Sequence, residues 1–117
     1  MSSQRYVLVP TLPIPLPWTL KTMPTIQRIR LTITNRHYYL SSHAEEEMRE
    51  DHVERRDIEY AILNGKVEQR LTHDIRGTRY RIEGPTQDGR IIHVICRFHE
   101  DRHLIIITAY AREWEAI

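Results

Sequence analysis

A chain of 117 residues with one cysteine excludes a disulfide scaffold and a Cys-rich zinc site, yet it is long enough to bury one core without staples. No run of about 18 apolar residues marks a transmembrane helix, and Arg5 with no small-residue cleavage site behind it argues against a signal peptide. The formal charge of +1 hides a division: His43 to Glu59 carries eight acids against three arginines, whereas Arg76 to Arg97 carries five arginines against Glu83 and Asp88.

Five of the six prolines fall in residues 1–24, so that segment reads as an extended or disordered arm. Within it Tyr6 to Val9 is a candidate edge strand. Met23 is an alternative start that would make the arm a gene-model artefact. The remainder, 25–117, reads as one α+β domain. Ile26, Ile29 and Ile33 recur at helical spacing and predict a helix from Thr25 to about Asn35, although Ile29, Leu31 and Ile33 also alternate as in a strand. Tyr38 to Leu40 is extended. Ser41 or Ser42 caps a second helix running to about Asp51, with Ala44 and Met48 inward. A third helix runs from about Arg55 to Asn64, with Ile58, Ala61 and Ile62 inward and Gly65 expected in the left-handed conformation beyond its end. The acids Glu45, Glu46, Glu50, Glu54 and Glu59 read as a solvated face.

Four strands follow: Lys66 to Leu71, Arg76 to Glu83, Arg90 to Phe98 and Leu104 to Tyr110. Gly84 to Gly89 and His99 to His103 are the hairpin loops between the last three. Short loops between consecutive strands imply an antiparallel meander. The fold expected is therefore N-terminal helices on one face of a four-stranded antiparallel sheet, with Leu104 to Tyr110 as an open edge. Residues Ala111 to Ile117 are expected to form a short tail helix that docks Trp114.

The third of these strands alternates Ile92, Val94, Cys96 and Phe98 with His93, Ile95 and Arg97, which puts His93 and Arg97 on its outward face. Arg79 and Arg81 share a face of the strand before it. Arginine, fifteen residues against two lysines, suits bidentate phosphate contacts; GC-rich codon usage would produce the same bias. Cutting RNA internally requires a base for the 2′-hydroxyl, an acid for the leaving 5′-oxygen and a cation for the phosphorane charge. His93 can serve as acid or base, Arg97 as the cation, and Tyr110 as an orienting or donating group, with Arg76, Arg79 and Arg81 as substrate-binding candidates. Each also reads as a solvated residue on an amphipathic sheet. His43 is either a further acid or base at a helix start or a buried residue fixing the turn after Ser42. His43, Glu47 and Asp51 have i, i+4, i+8 spacing, but no metal or other cofactor is expected.

The order Ser41, His43-Ala44, Met48, Val53, Asn64-Gly65, Val67-Glu68, Gly77, Arg79-Tyr80, Asp88-Gly89, Ile92-His93-Val94, Ile106-Ile107-Thr108 and Tyr110 resembles the bacterial family known as domain of unknown function 4258, over about residues 38 to 110. Members resemble RelE and MqsR toxins in element order. That resemblance implies a toxin of a type II toxin–antitoxin pair: a cytoplasmic, metal-independent endoribonuclease on mRNA, held by a cognate antitoxin, which for many members is expected to be a small zinc-finger protein from a neighbouring gene, with no membrane association. The other reading is a non-catalytic binding module of the same fold. The chain departs from the family at Glu47 and Asp51, where arginines are common, which puts any RNA-binding role of that helix in doubt.

Overall fold

The computed structural model describes residues 22–112. In chain order they form α1 (Thr25–Thr34), β1 (Tyr38–Leu40), α2 (Ser42–Glu50), α3 (Arg55–Asn64), β2 (Lys66–Leu71), β3 (Arg79–Pro85), β4 (Ile91–Phe98) and β5 (Leu104–Ala111). The proposed arm strand Tyr6 to Val9 and the docking of Trp114 lie outside this span. Ala111, expected to open a tail helix, is instead the last residue of β5.

The α+β class is as expected, but the sheet has five strands rather than four and is mixed rather than purely antiparallel. Its order is β1-β5-β4-β3-β2. The extended Tyr38–Leu40 segment pairs in parallel with Leu104–Ile106. Parallel neighbours need a long connection, and here it comprises two helices and three strands. β1 is short, so its sequence carries no alternation by which its place in a sheet could be read.

All three helices pack on one face. Beneath them lie Tyr80, Ile82, Ile92, Val94, Cys96, Leu104, Ile106 and Ala109, facing Ile29, Ile33, Ala44, Met48, Ile58, Ala61 and Ile62. Cys96 is fully buried and its thiol is pushed up to about 12 by desolvation, so it is an inert core residue. Ser41 caps α2 by accepting from Ala44 N at 3.0 Å, an interaction worth about 1 kcal/mol. Glu45, Glu46, Glu50 and Glu54 are exposed, as a solvated face requires. Glu59 differs, accepting from Tyr38 Oη at 2.6 Å. Arg30 of α1 closes the end of α3 by donating to Ile62 O at 3.2 Å and Gly65 O at 2.9 Å.

Three local expectations are corrected. Gly65 has φ −105°, ordinary extended backbone; glycine is needed there for space, since a Cβ would sit 2.4 Å from Glu83 O and 2.5 Å from Ala61 O. β3 begins at Arg79 and runs through Gly84 to Pro85, so Arg76 lies on the preceding turn and Gly84 lies in the strand rather than its loop. The turn is fixed by Asp74, which accepts from Arg76 N at 2.9 Å, and by Gly77 at φ 114°.

The last correction concerns β5, which is not an open edge. β1 covers its first residues and α2 the rest. Ser41 Oγ donates to Ile107 O at 2.8 Å, Glu47 Oε1 accepts from Ala109 N at 3.3 Å, and Asp51 Oδ2 accepts from Ala111 N at 2.9 Å. Carboxylates satisfy strand amides in a way arginines cannot. Glu47 and Asp51 thus have a structural role in this chain.

Candidate active site

The sheet face opposite the helices is built from the alternate residues of β3, β4 and β5. Register places Glu83, His93 and Tyr110 side by side in one row across these three strands. The next row contains Arg81, Ile95 and Thr108. Beyond it, one residue past the Tyr80–Cys96 pair on each strand, lie Arg79 and Arg97, the latter opposite Ile105.

Two β-bulges complete the cluster. On β5 the pairing slips between Ile95–Thr108 and Cys96–Ile106, leaving Ile107 extra. Leu104 and Ile106 face the core. After the bulge Ala109 is the buried residue, and Tyr110, which strict alternation would turn inward, lies on the open face. On β2 the pairing slips between Val67–Ile82 and Gln69–Arg81, leaving Glu68 extra. Its carboxylate meets the Arg81 guanidinium in a bidentate contact at 2.8 and 2.9 Å.

Around His93 the groups converge. Its Nε2 lies 3.0 Å from Glu83 Oε2 and 3.7 Å from Glu68 Oε2, and the side chain is only 12% exposed. The Tyr110 ring meets the imidazole edge-on, with centroids 5.4 Å apart. Arg112 lies 3.6 Å from Glu83. The hydrogen bonds of Arg81 hold the Glu68 carboxyl below its usual range. Glu68, with a smaller contribution from Tyr110, pushes the Arg81 guanidinium up. A carboxylate on one imidazole nitrogen fixes the ring's orientation and tautomer and leaves the other nitrogen to exchange a proton.

The structure brings His93, Tyr110 and Arg81 together and places Arg97 and Arg79 further along the same face. Arg97 makes no ion pair among the described residues, whereas Arg79 Nε lies 3.2 Å from Asp74. Arg76 is exposed on its turn. His43 stands apart: its side chain is 63% exposed rather than buried, it meets Glu47 at 3.3 Å, and its helix runs along the outer side of β5, so that strand separates it from His93. His99 and His103 both approach Asp101 at 3.3 Å, while His103 stacks on Tyr39; their loop is thus tied to the sheet. Sequence reasoning missed Glu68, Glu83 and Arg112. Outward parity on β3 was the available signal for Glu83, and none existed for Glu68, which a bulge delivers.

Comparison with known proteins agrees with the ordered motifs. A family model described as "Domain of unknown function (DUF4258)" matches residues 40–111, and the chain belongs to that family. No curated protein and no solved structure matches it.

Proposed function

We propose that this DUF4258-family chain is a metal-independent endoribonuclease acting on mRNA in the cytoplasm, as the toxin of a type II toxin–antitoxin pair. The observation that carries the reading is the Tyr110–His93–Glu83 row with Arg81 and Arg112 at its flanks. Glu83 orients His93, and the free imidazole nitrogen takes the proton of a 2′-hydroxyl. The 2′-oxygen attacks the adjacent phosphorus while the bond to the 5′-oxygen breaks. Tyr110, a phenol donor beside Arg81, protonates the leaving oxygen, giving a 2′,3′-cyclic phosphate and a 5′-hydroxyl. Arg81 balances the charge on the phosphorane, and Arg97 and Arg79 bind neighbouring phosphates.

An RNase of this kind needs restraint in its host. The partner proposed is an antitoxin, a small zinc-finger protein encoded next door, whose acidic or flexible segment would cover the arginine row.

The second reading, a non-catalytic binding module, draws on one observation. Arg81 is held bidentately by Glu68 and Arg79 by Asp74, so two of the cations on this face are already partnered.

The deciding experiment is cleavage of labelled RNA by the purified chain in chelator. His93→Gln is expected to cut the rate by about 10²–10⁴ while folding and RNA binding survive. Arg97→Ala should weaken binding across sequences and flatten its salt dependence. Binding without cleavage by the wild type selects the module. Neither activity, with no toxicity on expression alone and no neighbour recovered by pull-down, removes both.

A further inference from the structure

We infer that Glu68, Glu83 and His93 form a binding site for a single Zn2+ ion, and that the ion would act as an inhibitor of the open face rather than its cofactor. The ligand atoms of these three side chains all lie within 4.8 Å of one another. Four donors at about 2.0–2.1 Å from a tetrahedral zinc lie about 3.3 Å from each other. His93 Nε2 is 3.0 Å from Glu83 Oε2 and 3.7 Å from Glu68 Oε2, values on either side of that separation. An imidazole with two carboxylates is a borderline-soft donor set. It suits zinc better than magnesium or calcium, which favour all-oxygen shells.

Arg81 is the obvious competitor, since its guanidinium bonds both oxygens of Glu68. A carboxylate oxygen can coordinate through one lone pair while accepting a hydrogen bond through the other. Ligating carboxylates are commonly held in place this way by outer partners. Arg81 would then orient Glu68 toward the ion, and Arg112, 3.6 Å from Glu83, would do the same on the far side. The ring is already aimed: Nε2, the nitrogen facing both carboxylates, is the ligand atom, and the 12% exposure of the side chain leaves it little freedom to turn away.

Coordination replaces the Nε2 proton with the metal and takes both carboxylates. The Glu83 contact that leaves His93 free to move a proton is lost. The inhibitory half of the inference therefore rests on the ribonuclease reading, whereas binding does not.

Titration calorimetry of the full chain with ZnCl2 at pH 7.5 separates the two. One ion per chain is expected. Affinity should fall by about tenfold or more in each of His93→Gln, Glu83→Gln and Glu68→Gln, and remain unchanged in His99→Gln, which alters the other histidine–acid cluster. Circular dichroism identifies any variant that fails to fold. Glu68 lies at the sheet edge on an exposed strand, so Glu68→Gln is the variant that decides the matter if the others do not fold. Absence of binding, or binding that survives Glu68→Gln and His93→Gln undiminished, overturns the site. With the site present, equimolar Zn2+ should suppress RNA cleavage and chelator restore it. A protein that binds zinc through these residues but never cuts RNA keeps the site and loses the ribonuclease; one that cuts RNA equally well with the ion bound refutes the inhibition.

Discussion

Gly84→Ala tests whether α3 seats directly on β3 behind the candidate site. A Cβ at Gly84 would lie 2.1 Å from Ala61 O, 2.7 Å from Ala61 C and 2.8 Å from Ala61 Cα. All three are backbone atoms, so no side chain can swing aside. Restoring an ordinary contact of about 3.4 Å requires the helix to retreat by about 1.3 Å. α3 buries Ile58, Ala61 and Ile62 completely. Full burial of an isoleucine is worth about 1.5–3 kcal/mol, and a radial gap of about 0.5–1 Å forfeits a quarter to a half of the contact energy. Two isoleucines thus lose about 1–3 kcal/mol. The alanine gains back about 0.4–1 kcal/mol by restricting the unfolded chain, which leaves a net loss of about 1–2 kcal/mol and a melting temperature lower by about 5–15 °C. Urea unfolding followed by circular dichroism measures it. The neighbouring residue Glu83 holds His93, so activity should fall more than stability. A variant as stable as the wild type would mean that α3 does not contact β3 at this point.

Alkaline pH should destabilise the fold through Tyr38. Burial and its hydrogen bond to Glu59 push its phenol up to about 12; a group with a raised folded value contributes stability below the unfolded value of about 10 and loses it as pH rises from there to about 12. Tyr38→Phe should flatten the alkaline limb of a melting-temperature profile, and an unchanged limb would exclude Tyr38 as its cause. At the acid end, Asp101 is held down to about 2, first by the backbone N–H of His103 and also by Tyr39 and the two histidines. Its contribution is present above the unfolded value of about 4 and is lost as pH falls through about 2, so the hydrogen-exchange protection factors of the His99–His103 loop, corrected for the intrinsic rate at each pH, should fall across that window in the wild type and not in Asp101→Asn. Glu47→Arg removes the acceptor of Ala109 N and should cost about 1–3 kcal/mol in chemical unfolding; a neutral result would mean the amide finds another partner.

The helices and the strand centres were legible because each carries its own periodicity. Ile58, Ala61 and Ile62 recur at helical spacing, and Ile92, Val94 and Cys96 alternate with His93, Ile95 and Arg97; the three helical residues and Ile92, Val94 and Cys96 are buried. What failed was information that no single segment contains. Tyr38–Leu40 is too short to reveal a partner, and only the tertiary fold sets it parallel to Leu104–Ile106. Asn64-Gly65 looks like a left-handed helix stop, but the residue is selected by an approach from Glu83 and Ala61, one on a distant strand and one on the helix itself.

The candidate site follows the same division. His93 could be found from alternation alone, because β4 runs straight through the row. Tyr110 could not be placed by counting from Leu104 and Ile106, since Ile107 reverses the parity between them. Glu68 is displaced in the same way on β2. Each of these bulges brings one functional-type side chain to the face that carries His93, and the core position that the β5 bulge shifts is filled only by the small Ala109. A bulge leaves a strand residue unpaired and locally breaks its ladder, so a sheet selected only to pack its helices would gain nothing from two of them aimed at the opposite face. Their common target, more than the chemistry of any one residue, is the argument that this face has a function.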